Sequence, residues 1–226
     1  EVSDDFINKV IINTHFKAKM IENYITSKYE QEKNLKLKNM QILPDIKILY
    51  EPYRLETGGG VKNALPLLGK NPFFVMNSDS IFHSHADNPL SILASCWNGE
   101  TMDALLLVCS IKSVQGYSGF GDFKFVENGN FKSQALKLYS SQCSPIVRDI
   151  SNNKNDHSIV FTGLQICSPR LFNNAPKGAY SLNLHYDQAI KKKRLYAVVY
   201  SGTYYHVGSI EGLRLAEKNI IERAKT

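Results

Sequence analysis

The sequence predicts an α/β protein with a three-layer, Rossmann-like, mostly parallel sheet and a small antiparallel β insertion. Apolar strands alternate with helices in the first half of the chain, which implies right-handed crossovers between parallel strands. The segments Phe73–Met76 and Ala104–Cys109 are continuously apolar, as strands buried on both faces of a parallel sheet are. A later segment, Gly121–Phe131, has the alternation and the glycine-containing turn of a β-hairpin.

The elements of the first half can be justified in order. Residues 10–13 begin with three apolar side chains and are predicted to form the first strand, and residues 18–33 repeat apolar side chains at helical spacing. Residues 46–50 form the second strand. Residues 59–68 form a helix that ends at Gly69, since glycine commonly follows a helix C-terminus.

The second half mixes helices with irregular stretches. Residues 89–97 are helical, whereas the polar stretch 140–157 is expected to be a surface loop. The remaining elements are strands at 159–166 and 196–200 and helices at 183–192 and 210–224. We expect a single domain over residues 1–226, with a β-rich lobe at about 110–165 within it.

Composition excludes several classes of protein. The chain has 226 residues, of which 43% are hydrophobic and 21% charged, which argues against disorder and against fibre. Neither a membrane-length apolar run nor a signal-peptide pattern is present, and the four cysteines have no zinc-site spacing. We therefore expect a cytoplasmic protein with reduced thiols and no membrane partner.

The charge pattern bears on the partner. The net charge is +6, and the basic residues are spread out except for Lys191–Arg194, so no basic patch with interleaved aromatics predicts a nucleic-acid partner. A positive balance also suits an enzyme that handles phosphorylated small molecules.

Three glycines, Gly58, Gly59 and Gly60, open a helix after Leu55. A helix N-terminus presents unpaired N–H groups and the positive end of the helix dipole, and glycine lets a ligand approach the backbone closely. Such a segment can bind a phosphate or the edge of a nucleobase. The alternative is a plain tight turn into a helix, and the spacing matches neither a P-loop nor a Rossmann fingerprint.

Asp79 comes just past the strand at 73–76, after Asn77 and Ser78. A carboxylate at the end of a buried strand can hold a hard cation such as Mg²⁺, which takes one or two protein carboxylates and completes its shell with substrate phosphates and water. The alternative is an ordinary helix-cap or turn aspartate.

These segments, together with others along nearly the whole chain, resemble the sugar-phosphate nucleotidyltransferases, also called nucleotide-sugar pyrophosphorylases. The subgroup that they resemble most comprises bacterial N-acetylmuramate α-1-phosphate uridylyltransferases and mannose-1-phosphate guanylyltransferase-like enzymes. The motifs are, in chain order, Glu56–Leu65 (ETGGGVKNAL), Asn77–Asp79 (NSD), Gly116–Phe123 (GYSGFGDF), Val160–Ile166 (VFTGLQI), Tyr180–Asn183 (YSLN) and Tyr205–Ser209 (YHVGS).

The resemblance implies a nucleotide-diphospho-sugar transferase fold and a reaction in which a sugar 1-phosphate attacks the α-phosphorus of an NTP and pyrophosphate leaves. It implies that Asp79 is the Mg²⁺ ligand and, with His206, a catalytic residue. The nucleotide-binding residues that it implies are Glu56, Gly58, Gly59 and Asn77. The implied sugar-binding residues, toward the β-rich lobe, are Gly121, Asp122, Phe161, Thr162, Gly163, Ser181 and Asn183.

The chain departs from the family pattern at two places. His206 occupies a position where many relatives have an aspartate that binds a second metal; it is expected to contact phosphate, to orient water, or to be simply packed. The family's N-terminal G-x-G-x-R loop, which grips the triphosphate, is not among these residues. Either that segment lies outside this sequence, or the gene product is truncated.

The function expected from the resemblance is formation of a nucleotide-sugar for cell-wall or polysaccharide metabolism. UTP is favoured because the chain is short and has no C-terminal β-helix extension. GDP-mannose formation from GTP, or a truncated, non-catalytic nucleotide-sugar binder, are the alternatives. The expected partners are an NTP and a sugar 1-phosphate, and the protein is expected to be a monomer or a homodimer.

Overall fold

A computed structural model describes residues 7–38, 43–83, 88–127, 130–131, 143–148 and 159–223. The chain divides into two compact units. The first unit comprises residues 1–71 together with 174–184, and the second comprises 72–173 together with 185–226. The lobe expected at about 110–165 does not coincide with either unit and stays a prediction.

The first unit contains two parallel strands, β1 (Lys9–Thr14) and β2 (Asp45–Tyr50), paired from Lys9↔Asp45 to Thr14↔Tyr50. Helix α1 (Ala18–Lys38) connects them, and α2 (Glu56–Leu68) follows. The predicted end of α2 is confirmed, because Gly69 has φ 86° and donates its N–H to the Leu65 carbonyl. Helix α2 begins three residues earlier than predicted, so the triple glycine lies inside its first turns.

The second unit contains the remaining strands and most of the remaining helical residues. Its strands are β3 (Phe73–Met76), β4 (Ser80–His83), β5 (Ala104–Ser110), β6 (Val114–Gln115), β7 (Phe123–Glu127), β8 (Asn130–Phe131), β9 (Ser144–Arg148), β10 (Ile159–Cys167), β11 (Leu195–Val199) and β12 (Thr203–His206). Its helices are α3 (Pro89–Cys96), α5 (Ile210–Arg223), two 3₁₀ turns (Ile111–Ser113, Pro169–Phe172), and α4 (Asn183–Lys191), whose first two residues belong to the first unit.

The main sheet of the second unit has the strand order β3-β10-β5-β11-β9-β7-β8. Strand β11 is parallel to β5, whereas β10 is antiparallel to both β3 and β5. Strands β3, β5 and β11 therefore share one direction, with the reversed strand β10 between β3 and β5. The remaining pairings in this sheet are antiparallel, so the expectation of a mostly parallel sheet is not confirmed.

Strand β5 forms the centre of the core. Its residues Ala104–Cys109 are fully buried, which is why this stretch reads as a continuous apolar run. Helix α3 packs against it through Leu93, which is also fully buried. That helix begins in the way its sequence favours, with Asn88 accepting the Leu90 N–H through its side chain and Pro89 in the first turn.

A second, smaller sheet has the order β4-β12-β6, with β12 antiparallel to β4 and parallel to β6. Sequence reasoning missed this sheet. The predicted loop at 140–157 is wrong at residues 144–148, which form β9; much of the rest of it lies outside the described residues. The predicted hairpin is confirmed by the pairing of β7 with β8, although its turn at 128–129 also lies outside them. Among the described helices, none is both long and apolar enough to span a bilayer.

Candidate active site

Asp79 and His206 lie side by side in the second unit. The turn Asn77–Asp79 connects β3 to β4, and β4 pairs with β12 so that Ser80 faces His206 in register. The Asp79 Oδ2 atom is 3.8 Å from His206 Nδ1, and both side chains are a little over one third exposed. The Val207 N–H donates to the Asp79 carbonyl oxygen at 2.9 Å. A carboxylate and an imidazole are thus held together at the solvent edge of the small sheet.

Gly208 keeps this pair accessible. A Cβ at position 208 would lie 3.0 Å from Asp79 Oδ2 and 2.9 Å from His206 Nε2, so a larger residue would crowd both groups. Gly208 is absent from the predicted site residues. The sequence feature that could have indicated Gly208 is the YHVGS motif, in which this glycine stands two residues after His206.

The donor set at Asp79 suits a magnesium ion held by one carboxylate. Among the described residues, no three or more His, Cys, Asp or Glu side chains converge as a metal-binding group. The partly exposed Asp79 carboxylate offers the hard oxygen that Mg²⁺ prefers, whereas the His206 nitrogen is a poor ligand for it. The remaining coordination positions would fall to water and to phosphate oxygens.

Asp122 is fixed against strand β10. Its Oδ2 accepts the Phe161 N–H at 2.9 Å, and Tyr117 donates its hydroxyl to Oδ1 at 3.5 Å. Gly121, which precedes it with φ 109°, donates its N–H to the Tyr117 oxygen at 3.3 Å. Burial raises the pKa of Asp122, although the Phe161 N–H and the charge of Arg148 act in the opposite direction. The carboxylate is therefore oriented by its neighbours, with Oδ1 the less tightly bonded oxygen.

Strand β10 contains a bulge between Phe161 and Gln165, where its register against β5 shifts; this stretch includes Thr162 and Gly163. Thr162 is fully buried and donates its hydroxyl to the Leu107 carbonyl at 2.8 Å. The prediction that Thr162 lines the sugar side is therefore wrong for its side chain, because the bulge turns it into the core. Gly163 is also buried, and its carbonyl accepts the Asn77 N–H at 2.9 Å. These two residues support the turn that carries Asp79.

Phe161 is half-buried, and its ring meets the edge of Tyr186 at a centroid distance of 6.0 Å. The Arg148 guanidinium lies over the same Tyr186 ring at 5.7 Å and over Phe123 at 4.9 Å. Arg148 also pairs with Asp187 at 2.8 Å. Sequence reasoning missed this cation, because it falls in the stretch that was expected to be a loop.

In the first unit, Gly58 and Gly59 both donate their N–H groups to the Tyr180 carbonyl oxygen, at 3.0 and 3.2 Å. A Cβ on Gly58 would lie 2.8 Å from that oxygen and would overlap the Tyr180 ring, while a Cβ on Gly59 would lie 2.5 Å from the Gly178 oxygen. The prediction of bare N–H groups at these two glycines is therefore wrong. Their first role is close packing of α2 against residues 178–180; contact with a nucleobase stays a prediction.

Three further predicted residues lie on the surface of the first unit. Glu56 is exposed, has φ 59°, and pairs with Arg54 at 2.9 Å. Ser181 and Asn183 are exposed at the start of α4, where the Asn183 N–H donates to Ser181 Oγ at 3.3 Å. Ser181 and Asn183 were expected on the sugar side, but they belong to the same unit as the predicted nucleobase residues. Asn77, Asp79, Gly121, Asp122, Phe161, Thr162, Gly163 and His206 belong to the second unit.

Comparison with known proteins bears on this arrangement. The chain matches no protein-family model. It is 29% identical over 219 residues to the N-acetylmuramate alpha-1-phosphate uridylyltransferase of Caulobacter vibrioides. The aligned region covers 96% of this chain and 79% of that protein. These similarities support a sugar-phosphate nucleotidyltransferase family. The resemblance to this family that the sequence motifs indicate is thereby confirmed.

Solved structures show the nucleotidyltransferase fold. HddC from Yersinia pseudotuberculosis, complexed with GMP-PN, aligns with a TM-score of 0.62 at 18% identity over 96% of this chain and 80% of that one. A UDP-glucose pyrophosphorylase complexed with UDP-glucose aligns with a TM-score of 0.66 at 19% identity over 94% and 80%. The nucleotide-diphospho-sugar transferase fold that was predicted is therefore shown, as a mixed α/β structure.

Proposed function

We propose that this chain is a Mg²⁺-dependent nucleotidyltransferase that joins a sugar 1-phosphate to an NTP, preferably UTP, and releases pyrophosphate. The observation that carries the proposal is the pairing of β4 with β12, which brings Asp79 and His206 to one accessible edge. The similarity to a uridylyltransferase supports the reaction class and the preference for UTP.

Both substrates are anions, so positioning and neutralisation of charge must supply most of the catalysis. A phosphate oxygen of the sugar 1-phosphate attacks the α-phosphorus of the NTP, a new P–O bond forms, and pyrophosphate leaves with the electrons of the broken P–O bond. Asp79 would hold Mg²⁺, which when bound neutralises phosphate charge. No covalent intermediate on the protein is needed.

We assign His206 to contact with phosphate. Its Nδ1 lies 3.8 Å from Asp79 Oδ2, and an imidazole N–H can donate a hydrogen bond to an anionic phosphate oxygen. Gly208 leaves its Nε2 uncovered. In this arrangement a hydrogen bond from His206 to phosphate stands where many relatives have a carboxylate that binds a second metal.

We assign the sugar to the region of Asp122 and Phe161, where the oriented carboxylate offers an acceptor for a hydroxyl group. Gly121 holds the turn there, and Gly163 supports Asn77. The nucleobase is assigned to the start of α2, beside Glu56. Gly58 and Gly59 act there by allowing close packing and not by donating N–H groups, since Tyr180 accepts both.

Two alternatives have specific support. HddC, one of the similar structures, was solved with GMP-PN, which keeps GTP and a GDP-sugar product as the alternative substrate choice. His206 in place of a carboxylate, together with the occupied N–H groups of the glycines, favours a non-catalytic nucleotide-sugar binder. By its name, the uridylyltransferase relative acts on N-acetylmuramate 1-phosphate, which supports a role in cell-wall metabolism or peptidoglycan recycling. We place that role in the cytoplasm.

The test is pyrophosphate release by the purified protein with Mg²⁺, with UTP or GTP, and with N-acetylmuramate 1-phosphate, mannose 1-phosphate or glucose 1-phosphate. We expect turnover with UTP and one of these sugars. Asp79→Asn should lower kcat by about 100-fold or more, as loss of a central electrostatic contact does. Asp45→Asn removes an exposed carboxylate of β2 and is the matched control, expected to leave turnover unchanged.

Release of pyrophosphate with none of the pairs would overturn the proposed reaction. Saturable binding of UTP or UDP-glucose in that case would favour the binding protein instead. Turnover that is equal in Asp79→Asn and in the unmodified protein would show that the magnesium ligand lies elsewhere.

A further inference from the structure

A cleft of about 670 Å³ opens in the first unit, and none of its lining residues is among those assigned to catalysis. It lies where β1 and β2 both end, since Thr14 and Tyr50 are the last residues of these parallel strands and are register partners. The first turn of α1 forms another of its walls. Ligands of α/β proteins commonly bind outside the carboxyl ends of parallel strands, and a volume of this size suits a small molecule.

Thr14 carries a buried hydroxyl with an unmet hydrogen-bonding need. The residue is 3% exposed and lines the cleft. Within the ranges that the structure describes, its Oγ1 has no hydrogen-bond partner. Buried polar groups are almost always paired, and leaving one unpaired costs stability. A ligand in the cleft is a natural partner for this oxygen.

The charged residues at the start of α1 are unfavourable for a helix N-terminus without a bound anion. The N-terminus of a helix is the positive end of its dipole, where acidic residues are favourable and cations are not. The first turn of α1 contains no acidic residue, and Lys17 and Lys19 flank its first residue. Lys17 also has φ 53°, a left-handed conformation that is uncommon outside glycine. An anion bound at this turn would contact the positive end of the helix dipole and lie beside both lysines.

The other walls of the cleft decide what kind of anion fits. The only acid among the described residues lining it is Glu22, which Lys19 engages at 2.9 Å. His15, whose Nδ1 donates to the Glu51 carbonyl at 2.8 Å, adds a further nitrogen. Met20 and Tyr50, both more than half exposed, form an apolar side. A basic end beside an apolar, aromatic side matches a phosphate attached to a ring.

We propose that this cleft is a second, non-catalytic site that binds a small phosphorylated ring compound, with the phosphate at the N-terminus of α1 and the ring against Tyr50. The proposal goes beyond the nucleotidyltransferase function, because the cleft shares no residue with the assigned catalytic groups. Such a site would couple the protein to the level of a phosphorylated metabolite.

The test is a titration of the ¹⁵N-labelled protein with inorganic phosphate, glucose 1-phosphate and UMP, followed by amide chemical shifts. We expect saturable shifts at Ala18, Lys19 and Tyr50 with all three probes. The two ring-bearing probes should bind more tightly than inorganic phosphate. Equal affinity for phosphate and for both ring compounds would overturn the assigned role of Tyr50.

Variants separate this site from the candidate active site. Lys17→Ala with Lys19→Ala should weaken binding at the cleft by about tenfold, or about 1.4 kcal/mol. Lys28→Ala, on the same helix but outside the cleft, is the matched control. Asp79→Asn should leave these shifts unchanged. Shifts that are confined to the region of Asp79, or that disappear in Asp79→Asn, would overturn the proposal, as would the absence of saturable shifts in α1.

Thr14→Val distinguishes a binding role from a structural one. The change keeps the shape of the side chain and removes the unpaired hydroxyl, so the ligand-free protein should unfold at a higher temperature. Binding of the probes should become weaker at the same time. A lower unfolding temperature with unchanged binding would mean that Thr14 is paired within the protein, and would overturn its role in the site.

Discussion

The carbonyl oxygen of Gly163 accepts the N–H of Asn77 at 2.9 Å, so the bulge in β10 directly supports the turn that carries Asp79. Gly163 has φ 81°, and a Cβ there would lie 2.6 Å from Ser80 Oγ and 2.9 Å from the Asn77 Cβ. The turn and the bulge can therefore approach this closely only because position 163 has no side chain.

Gly163→Ala should damage activity and stability together. The left-handed conformation and the short contacts together should lower the free energy of unfolding by about 1–3 kcal/mol. Because the turn at Asn77 must move, kcat should also fall. Gly99→Ala is the control, since its Cβ would meet only Trp97 Nε1 at 3.6 Å. Equal stability of the two variants in urea would contradict this account of the bulge.

His206→Asp should change how the protein uses metal. It would place a second carboxylate beside Asp79, which pairs with His206 at 3.8 Å, and two carboxylates hold Mg²⁺ more strongly than one. We expect half-maximal activity at a lower Mg²⁺ concentration than in the unmodified protein. His206→Ala is the comparison, because it removes the imidazole without adding an acid. A Mg²⁺ dependence that is the same in all three proteins would contradict the assigned position of the metal.

Gly58→Ala should separate packing from nucleotide binding. The added methyl group would overlap the Tyr180 ring and carbonyl, and overpacking of this kind costs about 1–3 kcal/mol. We expect a lower unfolding temperature, and weaker UTP binding only to the extent that α2 moves. Full stability in the variant would show that Tyr180 can rotate away, and the packing role of Gly58 would then fail.

Asp103 should make the stability of the second unit depend on pH, with a loss of stability at acidic pH. It is buried and pairs with Arg170 at 2.5 Å and Arg194 at 2.7 Å. Burial alone would raise the pKa of Asp103, but the hydrogen bonds and charges of the two arginines lower it overall. Since the folded-state pKa is below the unfolded one, this stabilisation is complete above about pH 4–5 and is lost as the pH falls through the folded value.

Asp103→Asn should therefore lower the free energy of unfolding by about 1.5–3 kcal/mol at pH 7, the range for hydrogen bonds to charged groups. The difference from the unmodified protein should shrink as the pH falls below 4, because the native carboxyl group is then protonated too. Urea unfolding at pH 7, 5 and 3 measures this, with Asp45→Asn as an exposed control. A difference that does not vary with pH would contradict the ion-pair explanation.

The strands that could be predicted from the sequence are those with long apolar runs. Strand β3 was predicted with its observed bounds, and Asp79 was correctly placed just after it. The direction of β10 could not be predicted, because a buried, mainly apolar strand has the same pattern in a parallel and in an antiparallel sheet. The observed sheet is not mostly parallel, because β10 is reversed and because the pairings of β7, β8 and β9 are antiparallel.

The elements that were missed are short or polar. Strands β4 and β12 have four residues each and contain Ser80, His83 and His206, so they carry almost no apolar periodicity. Strand β9 includes Pro145 within a polar stretch. The burial of Thr162 was also out of reach, because a bulge reverses which face of the strand a residue occupies and depends on pairing that is distant in sequence.

The first unit is completed by residues that come late in the chain. Lys62 of α2 binds the carbonyl oxygens of Ala175 and Pro176, and the first of these is 113 positions further along. The Tyr180 carbonyl, which accepts both Gly58 and Gly59, arrives later still. During synthesis on the ribosome, the glycine helix emerges long before its acceptors do. The amino-terminal unit can therefore reach its final form only after most of the second unit has been translated, so the two halves of the protein cannot mature in simple order from one end to the other.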